Sequence, residues 1–430
     1  MPVPNKYSIE FETALDYGRP PNVKKLFPNS KALIVSGKYI DRAMLNKGQC
    51  MTIAANARSS FVLRGTLAAA QRANAAIIIE IARSEGGTNA YCPVSLWNMA
   101  RQTDAIMNEL GITIPVAIHA DHFGIKTPEE IEPAKAEIES LFDAGITSIA
   151  IDASHMPDDQ NLLANIELNP FVPDWAGLET EVGEIKGTLG LSTDQEALFL
   201  IQGLNAHDIF PDWIALNNGT THGIEESGTG IDVDLTAQIH KALSPYGVSG
   251  AQHGTSGNNS DKLRAIASKT HTTKANVATA LQMISWGIKV NDFGNAILDE
   301  TGSFIKQKDV GLTEEMWSKM VAHADTKGLK GGDYKKLNLP FEPHLLALPR
   351  KIRERMAKNV ENFVYSLLTD VFNATDTADI LISQILESKS HMPGHKAQKI
   401  EPQTEWTRGK IITKAKNITS DKGPEGNFDD

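Results

Sequence analysis

Between residues 50 and 291 short, β-branched, apolar runs alternate with longer amphipathic ones, and this alternation constrains the fold more than any other feature of the chain. Runs of the first kind read as strands and those of the second as helices, and strands separated by helices pair in parallel. The pattern predicts eight strands, at residues 50–55, 75–82, 116–120, 148–152, 178–182, 213–216, 248–252 and 287–291. Helices are expected at 60–74, 95–110, 128–144, 194–203, 235–244 and 274–286. Pro128 behind Thr127 suits a first helical position, and Glu129 and Glu130 favour the positive helix end. Residues 161–176 fit a crossover helix least well, because Pro170 and Pro173 would break it. Eight strands in this order predict a closed parallel (β/α)8 barrel, the TIM barrel, rather than an open sheet.

The remaining chain divides around that barrel at residues 50–300. Residues 1–49 form an N-terminal extension whose last part, 38–46, is expected to be a helix closing the bottom of the barrel. Past residue 300 the alternation stops, and 301–387 reads as a helical C-terminal extension. Within it residues 349–372 carry a mixed charged and apolar helical pattern, expected to pack on the barrel or across a subunit interface, lending Arg350, Arg353 or Arg355 to a neighbouring site. Residues 388–430 turn to Lys, Gly, Pro and Asn and are expected to be a loosely ordered or partner-draped tail.

Charge and cysteine usage narrow the class of function. The formal net charge is -11, and no Lys/Arg run stands out before the tail, so no nucleic-acid footprint is expected. An anionic small molecule still fits if the site is locally positive. Cys50 and Cys92 give neither a disulfide framework nor a CxxC pair, which suits a reducing, cytoplasmic setting. The opening MPVPNKYSIEFE has no apolar signal core, and the apolar runs are too short to span a bilayer, so no membrane association is expected.

Chemistry in such barrels sits at the carboxyl ends of the strands. The run PVAIHADHFG at 115–124 delivers His119, Asp121 and His122 within four residues. Strand two runs out through ARSEGG with Ser84, strand four through IDASH with Asp152 and His155, and strand five holds Glu179 and Glu181. Strand six leads to His222 in NNGTTHG and strand seven to His253 in QHGTSG. One such histidine is more often a satisfied structural residue than a ligand. Three imidazoles on separate strand ends, with a carboxylate beside them, match the donor set of a catalytic divalent metal. The glycines of THG, HGTSG and NDFGN allow close backbone approach to an anion, and the last strands of such barrels commonly hold a phosphate.

The ordered motifs PVAIHADHFG, SIAIDASHMP, LETEVGEIKG, NGTTHG, AQHGTSG and IKVN, preceded by MTIAANARSSFVLRGTLAAAQRANAAIIIEIARSEGG, resemble the class II, zinc-dependent fructose-bisphosphate aldolases over residues 38–295. The resemblance implies a metal-dependent aldolase that reversibly cleaves a phosphorylated ketose, fructose 1,6-bisphosphate by default, as a homodimer or homotetramer. It makes His122, His222 and His253 the ligands of Zn2+, or of Co2+ or Mn2+, with Glu181 joining them. Asp121 becomes the general acid/base. Ser84, Gly223, Gly254, Ser256, Asn291 and Asp292 line the substrate and its phosphates, and His119 supports Asp121 rather than binding the ion.

Departures from the family pattern bear on substrate. The acidic pair expected in a loop after ELG is missing from EVGEIKGTLGLSTDQE, where Glu184 and Glu196 stand nearby but not at the matching position. The phosphate strand, expected as Asn-x-Asp-Thr-Asp, reads Asn291, Asp292, Phe293, Gly294, Asn295, and HGGSG has become HGTSG. A different phosphorylated or anionic ketose is the second reading, and a catalytically silent metal-binding barrel the third. A metallohydrolase would want a His-x-His pair on the first strand, and ANARSS has none.

Overall fold

A computed structural model describes residues 8–183, 190–219, 230–256, 258–291 and 294–418. Eight strands close into one parallel barrel in sequence order: β1 (Thr52–Asn56), β2 (Ile77–Ala82), β3 (Val116–Gly124), β4 (Ser148–Asp152), β5 (Gly177–Val182), β6 (Trp213–Leu216), β7 (Ser249–Gln252) and β8 (Thr272–Val277). Ring closure follows from β8 pairing with β1, Thr52 against Lys274 and Ala54 against Asn276. The expected strands one to seven are all present within a few residues. The eighth differs. Residues 287–291 form only isolated antiparallel bridges, Ile288 to Lys306 and Val290 to Ala296, and the predicted helix 274–286 begins only at Thr279. TTKANV supplies the closing strand instead. Its inward side chains are polar, so it lacks the apolar alternation by which the other strands are recognised.

Helix boundaries follow local chemistry. The helix Ser60–Ala73 is capped by Ser59 and ends with Asn74 in the left-handed region, and Asp194–Ala206 opens with a Thr193/Glu196 capping box. Pro170 does end the crossover after β4, where the helix Asp158–Leu168 gives way to a single 3-10 turn.

The helix Gly37–Lys47 plugs the amino-terminal end of the barrel. Lys38 reaches Asp212 at 3.2 Å, and Asp41 accepts from Thr273 at 2.7 Å, both buried. Its approach is close because Gly37 and Gly177 meet: a Cβ on Gly177 would lie 2.9 Å from Gly37 Cα. Below it packs the helix Thr377–Ser388.

The helix Arg350–Ser366 lies along Ser60–Ala73 of its own chain, burying Met356, Ala357, Val360 and Val364. Arg355 spends its guanidinium on the carbonyl of Gly311 at 2.7 Å, and Arg350 pairs with Glu354. The apolar face of this segment is therefore covered by its own chain, one of the two placements expected of it. A second core around Trp286, Phe304, Trp317, Tyr334 and Phe341 holds residues 304–345 against the rim. The tail differs too, since residues 390–418 are packed rather than loose: Lys396 reaches Asp41, the Asp212 carbonyl and Ser249, while Trp406 and Ile411 are buried. Among the described residues no helix is long and apolar enough to cross a membrane.

Candidate active site

Strand alternation would send Asp121 and His122 to opposite faces of the sheet. A bulge prevents this. The register of β3 against β4 shifts between Ala120 and Phe123, and His122 adopts φ +40°, so both side chains turn into the mouth of the barrel. A positive φ at a non-glycine residue costs energy, and such strain collects where function needs it.

Around them the barrel interior is charged where most such barrels are aliphatic. Lys274, fully buried on β8, places Nζ 2.8 Å from Glu179 Oε2, 3.2 Å from Glu80 Oε2, 3.4 Å from Asp121 Oδ1 and 3.2 Å from His119 Nε2. Asn276, two residues on, donates to Asp121 Oδ1 at 2.9 Å. Burial alone would raise the Asp121 carboxyl, but the Lys274 ammonium and His122 hold it well below the usual carboxylate range. Asp121 is thereby an ionised acceptor. His119, between Ser148 at 2.8 Å and Lys274, is pushed down to about 3 by burial and by that ammonium, so it is neutral. It supports the cluster and lies away from the metal corner.

That corner consists of His122, His253, Glu181 and Asp152. The two imidazoles stack edge to face with centroids 4.4 Å apart. His253 is gripped on both nitrogens, Nε2 2.9 Å from Glu179 and Nδ1 2.7 Å from Glu181, while His122 Nδ1 is 3.4 Å from both Asp152 and Glu181. Burial would lower both imidazoles, yet the facing carboxylates raise His122 well above its ordinary value and His253 to about 10. A divalent cation satisfies the same carboxylates by displacing those protons. The donors fit one: both Glu181 carboxylate oxygens are buried and face the His122 and His253 imidazole nitrogens, whose protons a cation would replace. Atoms of Asp121, His122 and His253, and of His122, Asp152 and Glu181, also converge within 4.8 Å. His222 and Gly223 lie outside the described residues.

Two cavities open on either side of His122. One, of about 290 Å3, is lined by Glu80, Asp121 and His122, by Gly254, Thr255 and Ser256, and by Asn276 and Thr279. Gly254, at φ +59°, provides a turn that a side chain would strain. On its far wall Arg58 pairs with Glu85 at 2.5 Å and donates to Thr279, while Asn56 donates to the other Glu85 oxygen. The 3-10 turn Gly331–Leu337 of the C-terminal extension brings Asp333 and Lys335 to the rim. The second cavity, about 330 Å3, holds Ser84 with Arg83, Lys126, Asp152 and His155. Ser84 thus lines the second cavity, and Gly254 and Ser256 the first.

Asn291 does not line either cavity. It accepts from the Asn295 backbone in a turn whose Gly294 and Asn295 do face the first cavity, and Asp292 lies outside the described residues. Because β8 is Thr272–Val277, the residues matching Asn-x-Asp-Thr-Asp are Asn276, Val277, Ala278, Thr279 and Ala280: the Asn and Thr are kept and both acids replaced. Lys274, Asn276, Glu80 and the Arg58–Glu85 pair are functional candidates that the strand-end reading missed. Period-two spacing of Lys274 and Asn276 in TTKANV was the available signal.

Residues 40–327 match the protein family described as fructose-bisphosphate aldolase class-II. Among curated proteins the chain is similar to the fructose-bisphosphate aldolase of Staphylococcus epidermidis, 34% identical over 122 residues, which cover 28% of this chain and 38% of that protein. It is also similar to the enzyme of that name from Streptococcus pneumoniae, 30% identical over 181 residues, covering 41% of this chain and 57% of the other. The aligned stretches therefore span between about two fifths and three fifths of those relatives. Among solved structures, the YdjI aldolase of Escherichia coli K12 superposes with a TM-score of 0.53 at 16% identity, over 80% of this chain and 99% of that one. The fructose-bisphosphate aldolase of Campylobacter jejuni does so with 0.53 at 16% identity, over 80% and 97%. These two likenesses support the barrel alone; the family match, over more than half the residues, shows that the chain belongs to the class II fructose-bisphosphate aldolase family.

Proposed function

We propose that this chain is a metal-dependent aldolase that reversibly cleaves a phosphorylated ketose, with fructose 1,6-bisphosphate as the first candidate substrate. The observation that carries the reading is the β3 bulge, which turns an ionised Asp121 and the imidazole of His122 into one cavity. His122, His253 and Glu181 would hold the ion, with His222 as the further ligand expected from the sequence. When bound there, a divalent metal supplies Lewis-acid polarisation of the ketone carbonyl.

The chain's own residues supply the rest. Asp121 accepts the C4 hydroxyl proton in cleavage and returns it in condensation, a role that suits a carboxylate held ionised by Lys274. Backbone at Gly254, with Ser256, Asn276 and Thr279, forms the wall against which a phosphate would sit. Ser84, with Arg83 and Lys126, receives the other end of the sugar across His122.

A ketose other than fructose 1,6-bisphosphate is the second reading. It is favoured by Ala278 and Ala280 standing where two acids are expected, and by the Arg58–Glu85 pair on the same wall.

Metal analysis of the purified protein, followed by cleavage assays on a panel of phosphorylated ketoses with and without chelator, tests both readings. Stoichiometric metal and chelator-sensitive cleavage, abolished in Asp121→Ala, are the expected results, and the best-cleaved ketose separates the two. Metal without turnover on any ketose would favour a silent metal-binding barrel. Absence of metal after loading would overturn the ligand set.

A further inference from the structure

Aldol cleavage needs two proton transfers at different atoms. One removes the C4 hydroxyl proton, and the other delivers a proton to C3, where the broken carbon–carbon bond leaves its electron pair. Asp121 serves the first. The two glutamates nearest the expected acidic loop do not settle the second: Glu184 lies outside the described residues, and Glu196 is spent in the capping box of its helix, both accepting from and bracing Thr193.

The other carboxyls near the first cavity are also engaged. Glu85 is tied to Arg58 and Asn56, Glu179 to Lys274 and His253, and Asp333 to Lys336. Glu80 is different. It points inward from β2, is 0% exposed, and lines the cavity with Asp121, His122 and Asn276. Only Oε2 is engaged, facing Lys274 Nζ at 3.2 Å; Oε1 has no partner among the described residues, and one oxygen lies within 4.8 Å of an Asp121 oxygen. Burying a carboxyl with one oxygen unpaired costs stability, and aliphatic packing would fill the same space without that cost. A carboxyl left open toward a cavity is explained by what enters it.

We propose that Glu80 is the second proton-transfer residue, the group that protonates C3 of the ketose fragment; this rests on the aldolase reading above. In cleavage the C3–C4 bond breaks and its electrons remain on the three-carbon fragment as an enediolate. The O–H bond of the Glu80 carboxylic acid then breaks and a C3–H bond forms, leaving Glu80 as the carboxylate. Condensation runs the same transfer backward. The groups facing Glu80 are His119 and Asp121 from β3, Glu179 from β5 and Lys274 from β8. Burial and the neighbouring Asp121 push its carboxyl up to about 8 despite the Lys274 ammonium, which keeps a proton available near neutral pH.

The test uses the metal-loaded, full-length protein in D2O with the ketose fragment of its best substrate, dihydroxyacetone phosphate first, and follows loss of the C3 proton signal by NMR. Glu80→Gln should slow exchange by about 10²–10⁴-fold while metal content stays near wild type and melting does not fall below it, and Glu184→Gln should exchange like wild type. Glu80→Asp keeps the acid on a shorter arm, serves if the amide variant misfolds, and should fall between the two. Wild-type exchange in Glu80→Gln or in Glu80→Asp, or its loss in Glu184→Gln alone, would overturn the assignment while leaving the aldolase reading intact. A wild-type protein that neither cleaves any ketose nor exchanges would overturn both.

Discussion

Lys274 Nζ and Glu179 Oε2 meet 2.8 Å apart in the fully buried centre of the barrel, and this pair links the Asp121 side of the site to the His253 side. The same ammonium reaches Asp121, while the other Glu179 oxygen holds His253 Nε2. One cation on β8 thus faces carboxyl groups from β2, β3 and β5. Removing it leaves buried charge without compensation, a change that typically costs about 3–5 kcal/mol. Lys274→Met should therefore lower the melting temperature sharply as well as slow catalysis. A thermal melt indistinguishable from wild type would show that the cluster does not carry the charges assigned to it.

Glu179 reaches the proposed metal ligand His253, its Oε1 2.9 Å from Nε2. A carboxylate on the outer nitrogen of a ligating histidine fixes its orientation and basicity, and loss of such a partner typically weakens metal binding about 10–100-fold. Glu179→Gln should weaken Zn2+ binding to that extent in a competition titration with a chromogenic chelator. Unchanged affinity would assign Glu179 to the Lys274 cluster alone.

How far the sequence discloses this molecule depends on which face of each strand it advertises. Seven strands are recognisable because at least part of each is apolar, and His122, His253, Glu181 and Asp121 are recognisable because they follow such runs. TTKANV hides because its inward residues, Lys274 and Asn276, are polar, and because the amphipathic pattern of Thr279–Trp286 extends visually back over it. The mistaken eighth strand also moved the proposed phosphate wall by one element, because Asn276 lines the first cavity and Asn291 does not. Glu80 sits in IIIEIA, where a single acid in an apolar strand gives no hint of its neighbours: those come from β3, β5 and β8. The bulge at His122 likewise depends on β4 and is invisible in β3 alone.

Covering of the apolar face of Arg350–Ser366 by Ser60–Ala73 can be probed at Gly65. A Cβ there would lie 2.4 Å from the Ala357 carbonyl oxygen and 2.7 Å from Val360 Cβ. The contact is with helix backbone, so the pair of helices must separate. Overpacking of this kind costs about 1–3 kcal/mol, against a helix-propensity gain for alanine of about 1 kcal/mol. Gly65→Ala should lower the melting temperature while leaving the Michaelis constant unchanged, because residue 65 does not line either cavity. Truncation after Leu348, which strips Met356, Val360 and Val364 from the core, should yield insoluble protein; a soluble, active fragment would contradict the packing.

The environment of Glu80 also predicts a pH dependence of stability whose sign differs from that of an ordinary paired carboxylate. Its folded-state value, raised to about 8 by burial and Asp121, lies above the 4.5 of a free glutamate. The folded protein therefore binds this proton more tightly than the unfolded chain does. That contribution is fully present below about pH 4.5 and is lost as pH rises through 8. Gln resembles the neutral acid in shape and does not ionise, so it escapes the loss. Glu80→Gln should melt close to wild type at pH 5 and above it at pH 9, with a difference on the order of a few kcal/mol. Parallel thermal melts across that range are the measurement, and an equal offset at both pH values would mean that Glu80 ionises in the folded protein as readily as it does in water.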